Sequence, residues 1–164
     1  MAEEFLTKWG EKRGVTIGII RPSLIAGPNP PGNLKDMING IRRGYYLNIN
    51  KGKARKSLLM VYDIANLVPL VAEKGGVYNA CDDTHPSYGE LSRIISQQLG
   101  KRMPMSIPLW VAKILAKTGD VIPHFPINSY RLEKLTVSST YSNEKAKREL
   151  GWRPMSVLEN FKIE

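Results

Sequence analysis

The stretch VTIGIIRPSLIAGPNPPGN, residues 15–33, decides the fold of this chain. Residues 15–20 form an apolar run rich in β-branched side chains, with the length of a buried parallel strand. An Arg-Pro pair follows, and then a loop whose prolines and glycine exclude regular structure over residues 27–32. Asn33 is placed to cap the helix that comes next, residues 34–43. We therefore predict a strand that leaves its sheet through a rigid loop and enters a helix.

The remaining chain alternates between strand and helix patterns. Further strands are predicted at 45–50, 57–62 and 77–81, and further helices at 2–13, 64–74, 88–99, 109–117, 128–135, 143–150 and 156–161. Asp63 has the position of a helix N-cap, and Ser87 and Glu90 have the spacing of a capping box. No repeat, low-complexity tract or linker interrupts this order. The pattern predicts a single α/β domain over residues 1–164.

The composition and the N-terminal residues indicate in which cellular compartment this chain is expected. Hydrophobic residues make up 42% of the chain, and no apolar run approaches the roughly 18 residues that a membrane span needs. The N-terminal residues include acidic side chains and no apolar core of a signal peptide. A single cysteine, Cys81, excludes an internal disulfide and fits a reducing compartment. We predict a cytoplasmic protein without a membrane span, in which Cys81 is a small buried side chain.

The formal net charge of +9 is suited to nucleic acid, an anionic membrane surface or a phosphate-bearing small molecule. The basic residues are scattered, with short clusters at 42–43, 51–56 and 145–148. No zinc finger, aromatic RNA-binding strand or basic heptad array accompanies them. We interpret the charge as solvated helix faces and predict no nucleic-acid partner.

Ordered landmarks run along almost the whole chain. They are Ala2-Glu3 with Leu6, Arg21-Pro22 with Gly27-Pro28, Gly32-Asn33-Leu34, Arg55-Lys56-Ser57 with Asp63, Tyr78-Asn79, Ser87 to Leu91, and Lys145-Ala146 with Leu150-Gly151-Trp152 and Pro154. Their order and spacing resemble the extended short-chain dehydrogenases/reductases of the NAD-dependent epimerase/dehydratase family. The resemblance implies a Rossmann-like α/β fold, in which 15–20 and 77–81 are the last parallel strands and the remainder is a small substrate-binding lobe.

That family carries a Gly-rich nucleotide loop and a catalytic Tyr-x-x-x-Lys pair earlier in its chain. Here only 14 residues precede the first strand, and no GxxGxxG occurs. Tyr141 and Lys145 have the catalytic spacing, but they lie in the terminal segment, and we interpret them as coincidence. We predict the C-terminal, substrate-binding part of such an enzyme, without its nucleotide-binding half and without a catalytic residue. We expect this chain to be inactive alone.

The resemblance also implies cofactor contacts. Ligands of open α/β folds bind at the carboxyl ends of the parallel strands. Pro22 and Ser23 would lie there, beside the nicotinamide of NAD or NADP in the complete enzyme, and we expect no cofactor tightly bound to this chain. Leu24 departs from the family, because many sugar-nucleotide enzymes have an asparagine there that contacts the sugar. The complete enzyme would be an epimerase, a dehydratase or a 4-ketoreductase.

The implied substrate is a nucleoside-diphosphate-sugar, with four candidate ligands. Asn33 would aim the helix amides at the diphosphate, or it is a plain N-cap. Arg131 stands 14 residues ahead of Lys145, where the family has a diphosphate-binding arginine. Arg55 and Lys56 compete for a second basic position, since guanidinium and ammonium groups both satisfy phosphate charge.

Other functions are weighed against this one. A stand-alone anion-binding or scaffold module without catalysis remains the alternative. His85 and His124 have no cysteine or acidic partner at ligand spacing, so no metal site is predicted. Residues 108–117 fit a core or lid-facing helix better than a membrane-surface helix, since Lys113 and Lys117 would lie opposite an apolar stripe.

We predict that the chain self-associates. The apolar strand 15–20 would lose a neighbour and expose an edge, and the first helix resembles one that the family uses in dimer contacts. Sedimentation velocity over a wide concentration range should show a rising average mass. A monomer at every concentration would contradict the prediction.

Overall fold

The computed structural model describes residues 2–122 and 127–163. In chain order its elements are α1 (Ala2–Arg13), β1 (Gly18–Pro22), β2 (Leu24–Ala26), α2 (Gly32–Arg43), β3 (Asn48–Ile49), a 3-10 turn (Asn50–Gly52), β4 (Leu58–Met60), α3 (Val61–Lys74), β5 (Gly76–Ala80), α4 (Tyr88–Gln98), β6 (Ser106–Ile107), α5 (Leu109–Val121), α6 (Ser129–Thr136), α7 (Glu144–Leu150) and α8 (Val157–Asn160). Within these residues, each pair of strands is parallel: β1 with β5, β2 with β4 and β3 with β6. The predicted α/β class with parallel strands is confirmed.

The chain's internal contacts gather into two compact units. The first contains the described residues up to Gly27, Ser57–Thr84 and Tyr141–Phe161, and the second contains Pro28–Lys56, His85–Thr140 and the described residues after Phe161. The sequence predicts one domain over 1–164 without an internal boundary. No linker or change of composition marks the points where the chain passes from one unit to the other, and the single domain over 1–164 stays a prediction.

The first unit is organised around the parallel pair β1 and β5. Their register runs from Gly18 opposite Gly76 to Pro22 opposite Ala80. β1 begins three residues later than the sequence predicts, because the Val15 amide donates to the Gly10 carbonyl at 3.0 Å and closes the end of α1. The two predicted strands therefore exist and pair, with shifted bounds.

At Ser23 the chain changes its partner strand. The Ser23 amide donates to the Ala80 carbonyl at 2.9 Å, whereas the Leu24 amide donates to the Ser57 carbonyl at 3.3 Å. β2 then pairs with β4 from Leu24 opposite Leu58 onward. The sequence does not predict β2, since three residues are too short for a period-two pattern to be recognised.

The C-terminal segment completes the core of the first unit. Trp152 and Ala146 are buried against Tyr78 and other side chains of β4, α3 and β5, namely Leu59, Leu67, Val71 and Ala80. Just beyond Trp152, the Asp82 carboxylate accepts a hydrogen bond from the Val157 amide at 2.9 Å. The terminal landmarks are therefore part of the packing and not a surface tail.

Asp63 does not cap α3, and that prediction was wrong. The helix begins at Val61 directly after β4, with Met60 at the N-cap, so Asp63 lies inside the first turn. Its buried carboxylate accepts a hydrogen bond from the Met155 amide at 3.0 Å. Burial raises the pKa of Asp63 above its ordinary value. A contact with a segment 92 residues away decides the role of this side chain.

In the second unit, α2 packs on α4 through its apolar face. α2 begins at Gly32, with Pro31 at the N-cap and no side-chain capping bond. The prediction of Asn33 as the N-cap was therefore wrong, because the helix starts one residue earlier than the predicted cap. The capping box of α4 is confirmed, since the Glu90 amide donates to the Ser87 hydroxyl and the Ser87 amide donates to the Glu90 carboxylate.

Helix α5 is longer than predicted. It continues through Gly119 to Val121. Its buried residues are Ala112 and Ala116, while Trp110 is exposed. An apolar stripe does face the core, as predicted, but it consists of Ala112 and Ala116 with Leu109 packed beside them, and Trp110 is not part of it. No helix in the described part of the chain combines the length and the apolar character that crossing a membrane requires.

Gly89 allows close contact between α4 and the preceding 3-10 turn. A Cβ at Gly89 would lie 2.7 Å from the Lys51 carbonyl oxygen, and a Cβ at Gly52 would lie 2.4 Å from the Gly89 nitrogen. Backbone atoms cannot move aside as a flexible side chain can. The glycine is therefore a packing requirement inside a helix, where alanine is otherwise preferred.

We expect Gly89→Ala to lower the free energy of unfolding by about 1–3 kcal/mol, as overpacking does. Helix propensity alone predicts a gain of about 1 kcal/mol, so the sign separates the two effects. Urea denaturation of Gly89→Ala measures it, with Gln97→Ala at an exposed position of α4 as the control. A variant as stable as the parent would refute the packing argument.

Candidate functional site

The second unit contains a cavity of about 400 Å³. Its walls come from α2, the segment after α2, β3, β6, α5 and α6, and are formed by Asn33, Asp36, Met37, Tyr45, Tyr46, Leu47, Ile49, Ile107, Leu115, Ile127, Arg131 and Leu135. Most of these side chains are aliphatic or aromatic, with a few polar groups among them. This composition is typical of small-molecule sites, in which apolar walls supply contact and a few polar groups fix orientation.

The turn that ends α2 brings the aromatic residues to this cavity. Gly44 adopts a left-handed conformation with φ 82° and ends α2. The amides of Tyr45 and Tyr46 both donate to the Gly40 carbonyl, at 3.0 and 3.1 Å. A Cβ on Gly40 would lie 3.1 Å from the Cβ of Tyr46, so the glycine makes room for that ring. The tyrosine pair is thereby held against the end of α2.

A cap fixes the start of α6, which carries Arg131. The Asn128 side chain accepts a hydrogen bond from the Arg131 amide at 2.9 Å. The Asp120 carboxylate at the end of α5 accepts a second bond at 2.9 Å, from the Ser129 amide. These contacts place Arg131 in the first turn of α6, with its side chain in the cavity wall.

Asn33 connects the cavity to a buried tyrosine behind it. Its side chain forms a hydrogen bond with the hydroxyl of Tyr88, the first residue of α4. Burial raises the pKa of Tyr88, and the Asn33 bond works in the opposite direction. Burial likewise raises the pKa of Tyr46, with the neighbouring Tyr88 adding to the effect. Both phenols are therefore neutral donors or acceptors at physiological pH.

Arg55 and Lys56, the other predicted substrate ligands, do not line the cavity. The Arg55 guanidinium donates to the His85 carbonyl at 2.8 Å and lies 3.9 Å from the Glu90 carboxylate. The Lys56 amide donates to the carbonyl of Pro86 at 3.0 Å. The structure brings Asn33 and Arg131 to one cavity, whereas the Arg55–Lys56 pair braces the segment that leads into α4.

The predicted cofactor residues belong to the first unit. Pro22 ends β1 opposite Ala80, and Ser23 follows at the carboxyl end of the parallel pair. The Ser23 hydroxyl is buried and has no hydrogen-bond partner among the described residues. A buried hydroxyl without a partner lowers stability. Because Ser23 lies at the edge of the parallel strands where ligands bind in open α/β folds, its hydroxyl is a candidate ligand contact.

Tyr130 and Lys134, a pair that sequence reasoning overlooks, have the same Tyr-x-x-x-Lys spacing as Tyr141 and Lys145, and both lysines have structural contacts. Lys134 lies over the ring of Tyr130, with its Nζ 4.2 Å from the ring centre. The Lys145 Nζ donates to the Val77 carbonyl at 3.0 Å and lies 4.7 Å from the centre of the Tyr78 ring. His124 lies outside the described residues, and no group of three metal-ligating side chains occurs within those that are described.

Sequence reasoning misses Tyr45, Tyr46 and Asp36 as parts of the site. The alternating pattern of residues 45–50 predicts a strand that starts at the tyrosines, yet the strand comprises only Asn48–Ile49. The available signal is the glycine before them, since a helix C-cap that is followed by two aromatic residues places both near the helix end. Asp36 gives no signal beyond its position one turn after Asn33.

Solved structures with the same fold include sugar epimerases. UDP-glucose 4-epimerase of Thermotoga maritima, solved with UDP-glucose, superposes with a TM-score of 0.68 at 21% identity over 96% of this chain and 47% of that chain. UDP-glucose 4-epimerase of Thermus thermophilus, in complex with NAD, gives a TM-score of 0.63 at 17% identity over 93% of this chain and 46% of that chain. At these identities the likeness concerns the fold.

The sequence of this chain is similar to those of sugar 4-epimerases. The chain is 25% identical over 156 residues to the N-acetyl-alpha-D-glucosaminyl-diphospho-ditrans,octacis-undecaprenol 4-epimerase of Escherichia coli O157:H7, covering 88% of this chain. No protein-family model matches the sequence. The chain is a distant homologue of the NAD-dependent sugar epimerases, which are extended short-chain dehydrogenases/reductases. It spans about half the length of the curated relatives it matches, 47% and 49%.

The capping box of Ser87 and Glu90, which lies beside Arg55, should make the stability of the fold depend on pH. Hydrogen bonds from the Ser87 amide and hydroxyl lower the pKa of Glu90, and Arg55 adds to the effect. A folded-state pKa below the unfolded value means that this stabilisation is present at neutral pH and is lost as the pH falls through the folded pKa. We expect Glu90→Gln to lower the free energy of unfolding by about 1 kcal/mol at pH 7.

Urea denaturation between pH 7 and pH 3 tests this expectation. The difference between the parent and Glu90→Gln should shrink on acidification, because the parent's carboxylate becomes protonated. Glu133→Gln, which removes an exposed carboxylate of α6, controls for the change in net charge. A difference that stays constant over this range would show that the carboxylate's charge is not the stabilising element.

Proposed function

We propose that this chain is the substrate-binding, C-terminal part of an NAD(P)-dependent enzyme that acts on a nucleoside-diphosphate-sugar, as an epimerase, a dehydratase or a 4-ketoreductase. One observation carries the proposal: Asn33 and Arg131, two residues singled out from separate landmarks about 100 positions apart, line the same cavity. Homology to sugar epimerases supports it, and the Thermotoga maritima enzyme was solved with UDP-glucose.

The residues that line the cavity include groups suited to the diphosphate and to the nucleoside of such a substrate. The Arg131 guanidinium is matched to a diphosphate, which it can bind with two parallel hydrogen bonds. The first turn of α2 carries no side-chain cap, so its amides are available to the same anion. Tyr45 and Tyr46 provide aromatic surface for a nucleobase. Asp36 is an acceptor for the donors of a base or a ribose.

The diphosphate contact is assigned to Arg131 and Asn33. Arg55 is already engaged with the His85 carbonyl and with Glu90, and neither it nor Lys56 borders the cavity. In this proposal the Arg55–Lys56 pair keeps the start of α4 in place. It thereby holds Tyr88 where its hydroxyl meets Asn33.

NAD or NADP would meet this chain at the first unit. The partnerless hydroxyl of Ser23 fits a polar group of a nicotinamide nucleotide, and Pro22 would stiffen the backbone beside it. When bound, such a cofactor accepts a hydride from the sugar and returns it. The sequence contains no glycine-rich turn, so these residues do not cradle the cofactor's diphosphate. Their proposed share is one edge of the nicotinamide site.

Isothermal titration calorimetry with UDP tests the proposed site. We expect UDP to bind and Arg131→Gln to weaken it by about tenfold or more, because a charge-assisted hydrogen bond contributes about 1.5–3 kcal/mol. Arg93→Gln, an exposed arginine of α4 that does not line the cavity, is the matched control and should bind UDP as the parent does.

Inorganic diphosphate separates the two candidate functions. If it binds as tightly as UDP, the nucleoside contributes nothing, and the stand-alone anion-binding module replaces the nucleotide-sugar site. If UDP binds more tightly and Tyr46→Leu removes that advantage, the base site is supported. Unchanged UDP binding in Arg131→Gln would overturn the assignment.

A further inference from the structure

Helix α5 leaves three of its larger apolar side chains exposed, while the residues it buries fully are alanines. Its alanines face the core of the second unit, where Ala112 is 0% and Ala116 is 1% exposed. Trp110, Ile114 and Val121 face outward and are 66%, 58% and 82% exposed, whereas Leu109 packs against the same core and Leu115 lines the cavity. A helix that only had to pack would bury tryptophan and isoleucine and expose the small residues. The outward face therefore requires an explanation beyond the packing of this chain.

The three exposed apolar residues form one line. At 100° per residue, Trp110, Ile114 and Val121 fall within about 40° of each other around the helix axis. Lys113 and Lys117, both exposed, border this line on one side. We call these five residues the α5 surface. Lysines that border an apolar stripe can extend their ammonium groups to lipid phosphates while the apolar side chains enter the interface.

Charge decides between a lipid surface and a second copy of the chain. Exposed Lys101 and Arg102, a few residues before α5, add to its two lysines. The single acidic residue of α5, Asp120, is turned toward α6, where it accepts hydrogen bonds from the Ser129 amide and hydroxyl. Two copies meeting through a symmetric α5 contact would bring lysines together. Anionic lipid headgroups complement the same charges.

We propose that the α5 surface binds an anionic phospholipid membrane. Trp110, Ile114 and Val121 enter the boundary between headgroups and acyl chains, and Lys113 and Lys117 lie at the lipid phosphates. The helix lies in the plane of the interface and does not cross the bilayer. Leu115, which lines the cavity of the second unit, lies about 100° around the helix from Ile114, so the cavity is on a different face of α5 from the membrane. This inference is independent of the proposed nucleotide-sugar function.

Co-sedimentation with vesicles tests the proposal on the full chain. The parent should bind vesicles of phosphatidylglycerol and phosphatidylcholine in roughly equal amounts and bind pure phosphatidylcholine far more weakly. The double variant Trp110→Gln/Ile114→Gln should lose at least about tenfold in partition coefficient, because it removes the apolar anchor. Lys113→Gln and Lys117→Gln should each lose about fivefold on anionic vesicles, which corresponds to about 1 kcal/mol for each charge.

Phe5→Gln is the matched control, since Phe5 is 69% exposed on α1. It should bind vesicles like the parent, and all variants should keep the parent's circular dichroism and thermal midpoint because the altered side chains are exposed. Failure of the parent to bind anionic vesicles overturns the proposal. So does binding that Phe5→Gln reduces as much as Trp110→Gln/Ile114→Gln. If the double variant instead dissociates a dimer in sedimentation velocity without any loss of lipid binding, the α5 surface is a protein contact and the proposal is wrong.

Discussion

Parallel pairing is the constraint on which the rest of this structure depends. Two neighbouring parallel strands cannot be joined by a tight turn, so the chain must leave the sheet and return in the same direction. β2 and β4 are partners, and 31 residues, 27–57, lie between them. β1 and β5 enclose the same excursion. Helix α2 and its neighbours exist because this return path has to be filled with packed structure.

The candidate site is built in these excursions. Asn33, Tyr45 and Tyr46 come from the connection between β2 and β4, whereas Ile107 and Arg131 come from the long segment between β5 and α7. Positions on connecting segments are freer to carry binding groups, because the sheet and its covering helices already supply the core. The parallel strands fix the two ends of each connection. Within the second unit, residues of these connections line the cavity.

Local signals predict the elements well and predict the roles of polar residues poorly. The capping box at Ser87 needs only its own neighbours, and spacing alone predicts it. In the sequence, Asp63 occupies an equally favourable capping position. Its carboxylate nevertheless accepts a hydrogen bond from the Met155 amide, a contact that no local sequence pattern encodes. Arg131 is predicted as a ligand from its place among the landmarks, and its side chain lines the cavity. Arg55 is predicted from landmarks in the same way, but its side chain does not line the cavity, because its guanidinium contacts the His85 carbonyl and Glu90 instead.

The segmented core of the first unit has a consequence for synthesis of the chain. Leu59 and Tyr78 leave the ribosome long before Trp152, the side chain that covers them, has been made. Until Trp152 and Phe161 emerge, this unit has an open apolar face and gains little from its parallel strands. Segments of the second unit that end at Thr140 are complete earlier. Translation therefore exposes the nascent sheet for a time set by the arrival of these two aromatic residues, and a chaperone that shields it has to act in that interval.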